Sequence, residues 1–296
     1  MATLHNNVVP ASAGGLDSAD TGVIGGGTSN THETGLLSTM QYITLSTTGN
    51  ATIFGDLSAP SWELAGCADA TRGVFGGGHG DSGTLNTMQY ITIATAANAL
   101  DFGDLTIARI YLTACANATR GVFSGGYASW VDTLDYITIA TAGNAIDFGN
   151  LATTNFGAAG CADTTRGLFM GGNHNRIEYI TIATTGNTTT FGNITSARRY
   201  LAACADATRG VCGGGNNLNR IEYITIQTTG NSTDFGDLTT AGRQYGFSCA
   251  NATRGVFMGG TNINAIEYIT IQTTGNSTDF GDLTTYTRGA AACSGT

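Results

Sequence analysis

The sequence predicts an all-β protein folded as a six-bladed β-propeller with four-stranded blades. Three observations lead to this prediction: a repeat of 43 to 48 residues that occurs six times, four short strand-like runs in each copy, and almost no helical periodicity. Four strands in a repeat of about 45 residues is typical of a propeller blade. An open β-solenoid is the alternative, although its repeats are usually shorter.

Each repeat carries the same markers in the same order. A Tyr-Ile-Thr tripeptide is followed 12 residues later by Phe-Gly, and then by a cysteine. Thr-Arg-Gly and a Gly-Gly pair complete most copies. The run around the tyrosine is rich in β-branched residues and predicts a strand. The repeat tyrosines are Tyr42, Tyr90, Tyr136, Tyr179, Tyr223 and Tyr268. The repeat cysteines are Cys67, Cys115, Cys161, Cys204, Cys249 and Cys293.

Composition excludes several classes of protein. The 296 residues include no lysine, carry a net charge of −9 and are only 11 % charged. A basic footprint for nucleic acid is therefore absent, and so is a Schiff-base or phosphate-loop lysine. No apolar run is long enough to span a membrane. Since the N-terminal residues lack the features of a secretory signal, we expect synthesis in a host cytoplasm.

The positions of the repeats predict the domain organisation. Residues 1–13 lie outside the pattern and are interpreted as an N-terminal extension or tether, whereas residues 14–296 form the propeller. The pattern begins at a second strand (21–27) and ends with a first strand (287–296). We therefore expect the C-terminal strand to complete blade 1 and close the ring. Alternatively, residues 13–20 supply that strand.

The cysteines and the turn arginines are predicted to be structural. Six cysteines occupy one equivalent place in each blade, and neighbouring sheets lie about 10 Å apart, beyond the reach of a disulfide. We expect buried free thiols, with Cys212 also a packing residue. The Thr-Arg-Gly arginines are expected to hydrogen-bond to the next blade, and a ring of guanidiniums that binds an anion is the alternative. The arginines in question are Arg72, Arg120, Arg166, Arg209 and Arg254.

Two short motifs resemble protease signatures. Asp20-Thr21-Gly22 falls where other copies have Thr-Arg-Gly, which indicates a turn. Gly80-Asp81-Ser82-Gly83 resembles a serine-protease motif, but the adjacent His79 cannot form a triad, because triad residues converge from separate elements. The Asn-X-Thr/Ser sequons are interpreted as turn residues. We predict no catalytic residue, no cofactor and no metal site.

At these markers the chain resembles the kelch-repeat family. Arg109, Arg198, Arg243 and Arg288 match the arginine that opens the kelch first strand, and the Gly-Gly pairs and tyrosines match its second and third strands. Phenylalanine stands where kelch repeats have tryptophan. The resemblance covers residues 20–296 and implies a propeller that binds partners.

The sequences of the repeats are also similar to those of repeat proteins encoded by marine bacteriophages. The segments that carry this resemblance read TRGVF-x-GG, EYITIATTGN and DFGDLT. It implies a virion structural protein, of the tail-fibre or capsid type.

The connections between strands predict a binding face. The two–three and four–one connections emerge on one face of the disc, and the two–three loops are longest in the first three blades. Long loops on a rigid scaffold often bind ligands. Trp130 is expected to be exposed and to stack on a sugar ring. Alternatively, the loops contact a neighbouring subunit. The candidate ligand-binding residues are His32, Trp62, His79, Asp81, Arg109, Tyr111, Tyr127, Trp130, Arg199 and Tyr200.

These observations predict a non-enzymatic virion structural or adhesion protein. Its expected partner is a host-surface glycan or receptor, or other virion proteins, and a homo-oligomer is left open. It is expected to reside in the virion. The alternative is a cellular kelch-like interaction scaffold. A propeller enzyme such as a copper-radical oxidase is a third reading, but it needs convergent histidines and tyrosines that the sequence does not place together.

Overall fold

The computed structural model describes residues 15–29 and 35–295. It shows six four-stranded antiparallel sheets arranged in a ring, which confirms the predicted six-bladed β-propeller. The predicted N-terminal extension (1–13) and His32 lie outside the described residues. Within the described ranges, no helix is long and apolar enough to cross a membrane.

The strands of blades 2 and 3 follow the chain from the inner to the outer edge of the disc, whereas blade 1 takes its innermost strand from the C-terminal segment. In blade 1, three strands come from the N-terminal region: β1 (Thr21–Gly25), β2 (Thr39–Thr44) and β3 (Thr52–Asp56). Blade 2 consists of β4 (Ala65–Ala68), β5 (Arg72–Gly76), β8 (Thr87–Thr92) and β9 (Leu100–Asp104). A small hairpin, β6 (His79–Gly80) and β7 (Gly83–Thr84), lies between β5 and β8. Blade 3 consists of β10 (Thr113–Ala116), β11 (Arg120–Ser124), β12 (Thr133–Thr138) and β13 (Ile146–Asn150).

The other three blades have the same order. Blade 4 consists of β14 (Ala159–Ala162), β15 (Arg166–Met170), β16 (Arg176–Thr181) and β17 (Thr189–Asn193). Blade 5 consists of β18 (Leu201–Ala205), β19 (Arg209–Gly214), β20 (Arg220–Thr225) and β21 (Thr233–Asp237). Blade 6 consists of β22 (Phe247–Ala250), β23 (Arg254–Met258), β24 (Ala265–Thr270) and β25 (Thr278–Asp282). The last strand is β26 (Ala291–Ser294).

The ring closes through the C-terminal strand, as the repeat pattern predicts. β26 pairs antiparallel with β1, with Val23 opposite Cys293 and Gly22 opposite Ser294. In the described part of the alternative segment, residues 15–20, no strand is formed, and Ser18–Asp20 is a short 3₁₀ helix. The two ends of the chain thus share one sheet, and neither edge of β1 is left unpaired.

The innermost strands surround a central channel and pack closely against the next blade. In each blade the repeat cysteine lies beneath the glycine of a neighbouring second strand; a Cβ built on Gly255, for example, would be 2.5 Å from Sγ of Cys204. All seven cysteines are free and buried, which confirms the predicted packing role. Burial raises the pKa of the Cys115 thiol to about 12, so these thiols are neutral.

The turn arginines connect each blade to the next, as the structural interpretation predicts. Each guanidinium donates a hydrogen bond of 2.8 to 3.1 Å to a main-chain carbonyl of the following blade; Arg72, for example, donates to Ile139. Each also lies 4.2 to 4.3 Å above the repeat tyrosine of its own blade. Five of the twelve arginines are therefore engaged between blades.

Asparagines of the three–four turns make a second set of contacts between blades. Each accepts a 3.0 Å hydrogen bond from a main-chain N–H on the fourth strand of the preceding blade; Asn50 of blade 1, for example, accepts from Asp282 of blade 6. The turns thus tie the outer strands together around the ring. The asparagines are Asn50, Asn98, Asn144, Asn187, Asn231 and Asn276.

Deletion of residues 287–296 is expected to abolish cooperative folding and to cause aggregation. The deletion removes β26 and leaves an edge of β1 unpaired. Adding a synthetic peptide of residues 287–296 should restore solubility by pairing with that edge. The checks are size-exclusion chromatography and thermal unfolding; a soluble truncated chain with an unchanged melting transition would contradict closure by this strand.

Replacing Gly255 with alanine is expected to destabilise the protein by about 1–3 kcal/mol, because the new Cβ meets Sγ of Cys204. Combining Gly255→Ala with Cys204→Ala should recover at least half of that loss. Gly230→Ala is the matched control, since a Cβ there meets nothing within 4 Å. Chemical denaturation of all variants measures the coupling; additive effects would refute the proposed contact.

Candidate functional site at the channel mouth

The two sets of connections meet on one face of the disc, as the strand directions predict. Main-chain hydrogen bonds join Trp62, in a four–one connection, to His79, in a two–three loop, and join Ile110 to Tyr127 in the same way. Thr28 and Arg288 form an equivalent bridge in blade 1. We call this face the long-loop face.

A closed ring of six main-chain hydrogen bonds surrounds the channel on the long-loop face. Each of six equivalent residues, four positions before the repeat cysteine, donates its N–H to the carbonyl oxygen of the equivalent residue in the preceding blade. The N···O distances are 2.6 to 3.1 Å. We call this ring the channel mouth. Its members are Glu63, Tyr111, Gly157, Tyr200, Tyr245 and Gly289.

All six members of the channel mouth have left-handed backbone conformations, with φ between 55° and 66°. Glycine adopts this region without cost, but a bulky residue such as tyrosine is an outlier there. Three tyrosines and one glutamate nevertheless occupy the ring. Backbone strain of this kind, about 1–3 kcal/mol per residue, is concentrated at functional sites. The strain therefore marks these four side chains as candidates for ligand contact.

Aromatic side chains form a second ring around the channel mouth. Tyr111 lies 6.0 Å from Trp62 and 5.3 Å from Tyr200, and Tyr200 stacks on Tyr245 at 4.0 Å. The guanidinium of Arg288 closes the circle, 5.1 Å above the ring of Tyr245 and 5.2 Å above that of Trp62. We call these five residues, four aromatic side chains and one arginine, the aromatic circle. Trp62 is buried within it, and its three tyrosines are half-buried.

A group of exposed aromatic residues adjoins the aromatic circle. Phe156 is buried and lies 5.8 Å from Tyr111, and both Tyr127 and Trp130 pack against it at 5.7 and 5.5 Å. Trp130 is 54 % exposed and Tyr127 is 42 % exposed. Arg199 lies 4.7 Å above Phe156. The predicted exposure of Trp130 is confirmed, and its loop is anchored by a buried aromatic side chain.

Glu63 brings a buried carboxyl group to the channel mouth. The residue is only 8 % exposed, and Oε1 of its carboxyl group has no hydrogen-bond partner. The carboxyl leans over Gly289, where an added Cβ would be 2.7 Å from Oε1. Burial raises the pKa of Glu63 to about 8, and the positive charge of Arg288 opposes that rise. The carboxyl is therefore largely protonated at neutral pH.

The hydroxyls of Tyr200 and Tyr245 at the channel mouth also stay protonated. Burial raises the pKa of Tyr245, and the neighbouring Tyr200 raises it further. Burial likewise raises the pKa of Tyr200. Beneath these side chains lies a cavity of about 120 Å³, lined by the beginnings of the innermost strands. The mouth can thus offer several hydrogen-bond donors to a bound group.

The structure brings six of the ten candidate ligand-binding residues together at the channel mouth or beside it. The six are Trp62, Tyr111, Tyr127, Trp130, Arg199 and Tyr200. His79 lies next to them through its main-chain pairing with Trp62, and Asp81 is exposed between β6 and β7 of the small hairpin. His32 lies outside the described residues.

Arg109 does not belong to the site, which corrects its placement among the candidates. The residue is 0 % exposed, and its guanidinium lies 2.8 Å from the carboxylate of Asp135. A charged group that is buried in an ion pair cannot contact a ligand at the surface without breaking that pair. Arg198 and Arg243 occupy equivalent buried positions, paired with Glu222 and Glu267. These three arginines hold the blade linkers.

Arg288 also differs from the position that the kelch resemblance assigns to it. The main-chain hydrogen bond that Arg109 accepts from Gly78 is accepted in blade 1 by Thr287, not by Arg288. Arg288 is thus one residue further along and equivalent to Trp62, Phe156 and Arg199. This shift places its guanidinium at the channel mouth instead of in the interior.

Sequence reasoning misses Glu63, Phe156, Tyr245 and Arg288 as site residues. Counting back four or five residues from each repeat cysteine would have found all of them. The residue types at these two positions differ from blade to blade, so they do not stand out as part of the repeat.

A scan against known protein families gives no match to this chain, and a search of curated proteins gives none either. The six-bladed architecture is consistent with the kelch-like resemblance of the repeats.

Stability is expected to fall as the pH rises from about 4.5 to about 8, because Glu63 has a higher pKa in the folded protein than in the unfolded chain. Below this window the carboxyl is protonated in both states, and stability is complete. Within the window the carboxyl ionises in the unfolded chain but stays protonated in the folded protein. The free energy of unfolding therefore falls, by up to about 5 kcal/mol in all. Glu63→Gln should remove this dependence.

Chemical denaturation at pH 5 and pH 8.5 measures the effect. Asp81→Asn is the matched control, since Asp81 is exposed and should leave the pH dependence unchanged. An equal loss of stability in the wild type and in Glu63→Gln would assign the pH dependence to other groups.

Proposed function

We propose that this protein is a non-catalytic recognition protein that binds a carbohydrate of a host cell surface on its long-loop face. A β-propeller fits a role in adhesion or protein interaction. The observation that carries the proposal is the pair of exposed aromatic side chains, Tyr127 and Trp130, beside the aromatic circle. More specifically, we propose that the protein belongs to a bacteriophage virion, on a tail fibre or capsid. This part rests on the similarity of its repeat sequences to those of marine bacteriophage repeat proteins.

The chemistry of a sugar fits the aromatic surface. A pyranose has an apolar face of C–H groups, which packs on an aromatic ring, and hydroxyls, which need hydrogen-bonding partners at the edge. Trp130 and Tyr127 offer exposed aromatic faces, and the hydroxyls of Tyr111 and Tyr200 belong to the neighbouring channel mouth. The rigid disc holds these groups in place before binding, which lowers the entropic cost of association.

The carboxyl groups support binding without hydrolysis. Glycoside hydrolysis generally uses two carboxyl groups on opposite sides of the bond that is cleaved. Among the six residues of the channel mouth, Glu63 is the one carboxyl-bearing residue. Asp135 and Glu222 are buried elsewhere in ion pairs with arginines. We therefore propose recognition, not catalysis.

Contact with another protein is the second candidate function. Leu100 and Ile146, each 58 % exposed, lie on the outer strands of blades 2 and 3, where the other blades have threonine. Exposed apolar residues at equivalent positions of adjacent blades favour a protein contact at the rim. Another virion subunit, a second copy of this chain or a cellular partner would fit such a surface.

Trp130→Ala is expected to weaken binding to host cells or to extracted surface glycans about ten-fold or more, because it removes the most exposed aromatic face of the site. Tyr286→Ala is the matched control, since Tyr286 is also 54 % exposed but belongs to neither aromatic group. The measurement is a glycan array followed by calorimetry with the best ligand.

Two results would contradict the proposed function. Failure of the wild-type protein to bind any cell or glycan would favour a purely structural role. Equal losses in Trp130→Ala and Tyr286→Ala would place the binding site elsewhere.

A further inference from the structure

The carboxyl group of Glu63 has an unmet hydrogen-bonding requirement at the channel mouth. The residue is more than nine-tenths buried, and its Oε1 has no partner among the residues that the structure describes. Glu63 lines the cavity beneath the mouth, and so does Gly289, over which Oε1 lies. A buried polar atom without a partner is costly and indicates a missing ligand or water.

The other members of the channel mouth do not share this requirement. The side chains of Tyr200 and Tyr245 are hydrogen-bonded to each other, and Tyr111 is engaged as well. The tyrosine hydroxyls can take part in a further bond but do not need one. Gly157 and Gly289 have no polar side chain. The unmet requirement of the six residues is thus one carboxyl oxygen, which one hydrogen-bonding group of a ligand can satisfy.

The space at the mouth fits a side arm of a sugar and not a whole sugar ring. The cavity has a volume of about 120 Å³, whereas pockets that enclose drug-sized ligands measure about 300–1,000 Å³. The ring of main-chain hydrogen bonds also limits how far the mouth can widen. A sugar therefore stays outside and reaches Oε1 through a substituent. The hydroxymethyl group of a hexose carries its hydroxyl on such an arm.

We propose that the channel mouth binds the hydroxymethyl group of the terminal hexose of a glycan, with Glu63 as the hydrogen-bonding partner of its hydroxyl. The proposal rests on the proposed function and deepens it by naming the class of terminal sugar. The rest of the glycan extends from the mouth toward Tyr127 and Trp130. No covalent step is involved.

The spacing of the aromatic side chains indicates a ligand of at least two sugar residues. Phe156 lies 5.5 Å from Trp130 and 5.8 Å from Tyr111, so two ring-to-ring steps separate Trp130 from the mouth. A pyranose is similar in size to one aromatic ring and covers one of these steps. The terminal hexose thus lies at the mouth, and the next sugar packs on the exposed faces of Trp130 and Tyr127.

A hydroxyl suits Glu63 better than a charged group does. Burial raises the pKa of Glu63 to about 8, so at neutral pH the carboxyl can both donate and accept a hydrogen bond, as a hydroxyl can. An ammonium group would meet the positive charge of Arg288, which already acts on this carboxyl. A carboxylate would need a free counter-charge, but Arg288 is engaged over two aromatic rings and Arg199 is hydrogen-bonded to Tyr200.

The experiment measures binding of the whole protein to cellotriose, maltotriose and globotriose by isothermal titration calorimetry. Each of these trisaccharides ends in a hexose with a free hydroxymethyl group, and they differ in linkage or in the terminal sugar. The matched control for each is the analogue in which a methyl group replaces that hydroxymethyl group. We expect at least one trisaccharide to bind ten-fold or more tightly than its methyl control, because the control leaves Oε1 without a partner.

Two variants test the role of Glu63. Glu63→Gly removes the carboxyl, and the fold accepts glycine here because Gly157 and Gly289 hold equivalent positions with the same left-handed backbone. This variant should bind the trisaccharide about ten-fold more weakly and the methyl control as wild type does. Glu63→Gln keeps a group that donates and accepts, and should bind the trisaccharide within about threefold of wild type.

Trp130→Ala separates this inference from the proposed function. Because Trp130 contacts a different sugar residue, its loss should weaken binding of the trisaccharide and of its methyl control by the same factor. The ratio of the two affinities therefore reports on Glu63, whereas their absolute values report on the exposed aromatic residues.

Each outcome bears on one of the two proposals or on both. Equal binding of every trisaccharide and its methyl control would overturn the hydroxymethyl site and leave carbohydrate binding intact. A preference for the hydroxymethyl form that persists in Glu63→Gly would overturn the role of Glu63. No binding of any trisaccharide, while glycan-array binding survives, would overturn the class of terminal sugar alone. No binding on the array either would overturn both.

Discussion

The closed ring of main-chain hydrogen bonds at the channel mouth fixes the geometry on which the site depends. Each of its six peptides must take a left-handed conformation to donate to one neighbour and accept from the other. Gly289 from the C-terminal segment and Glu63 from the first linker meet in this ring, so it exists only when β26 has closed the propeller. The strand that closes the propeller thus also completes the channel mouth.

Burial of polar groups between the blades follows a second constant rule. In every blade the residue before the repeat tyrosine accepts a hydrogen bond from the linker that precedes it. Gln41 and Gln89 do this without charge, whereas Asp135, Glu222 and Glu267 face an arginine from that linker. A buried carboxylate needs a counter-charge, and a buried amide does not. Charge thus enters the interior in matched pairs.

The sequence predicts what the repeats share and misses what they do not. The six blades, the closure at Cys293 and the face with the long loops all follow from recurring residues. Arg109 is misplaced because a linker arginine resembles a surface residue, and its partner Asp135 lies 26 positions away. Glu63 and Tyr245 escape notice because the same repeat position holds a different residue elsewhere. Their proximity is a product of ring closure and cannot be read from local sequence.

The differences between blades give the channel mouth of this symmetric disc one order of side chains instead of six equivalent ones. Glycine at position 157 makes room for Tyr200, since an added Cβ would be 3.1 Å from that ring, and glycine at position 289 makes room for the carboxyl of Glu63. Each side chain leans over the preceding blade, and the two glycines leave two of the six positions of the channel mouth without a side chain. The backbone of the mouth repeats six times, whereas its side chains occur in one order only. Any group that contacted several of these side chains at once would therefore have a single orientation on the disc.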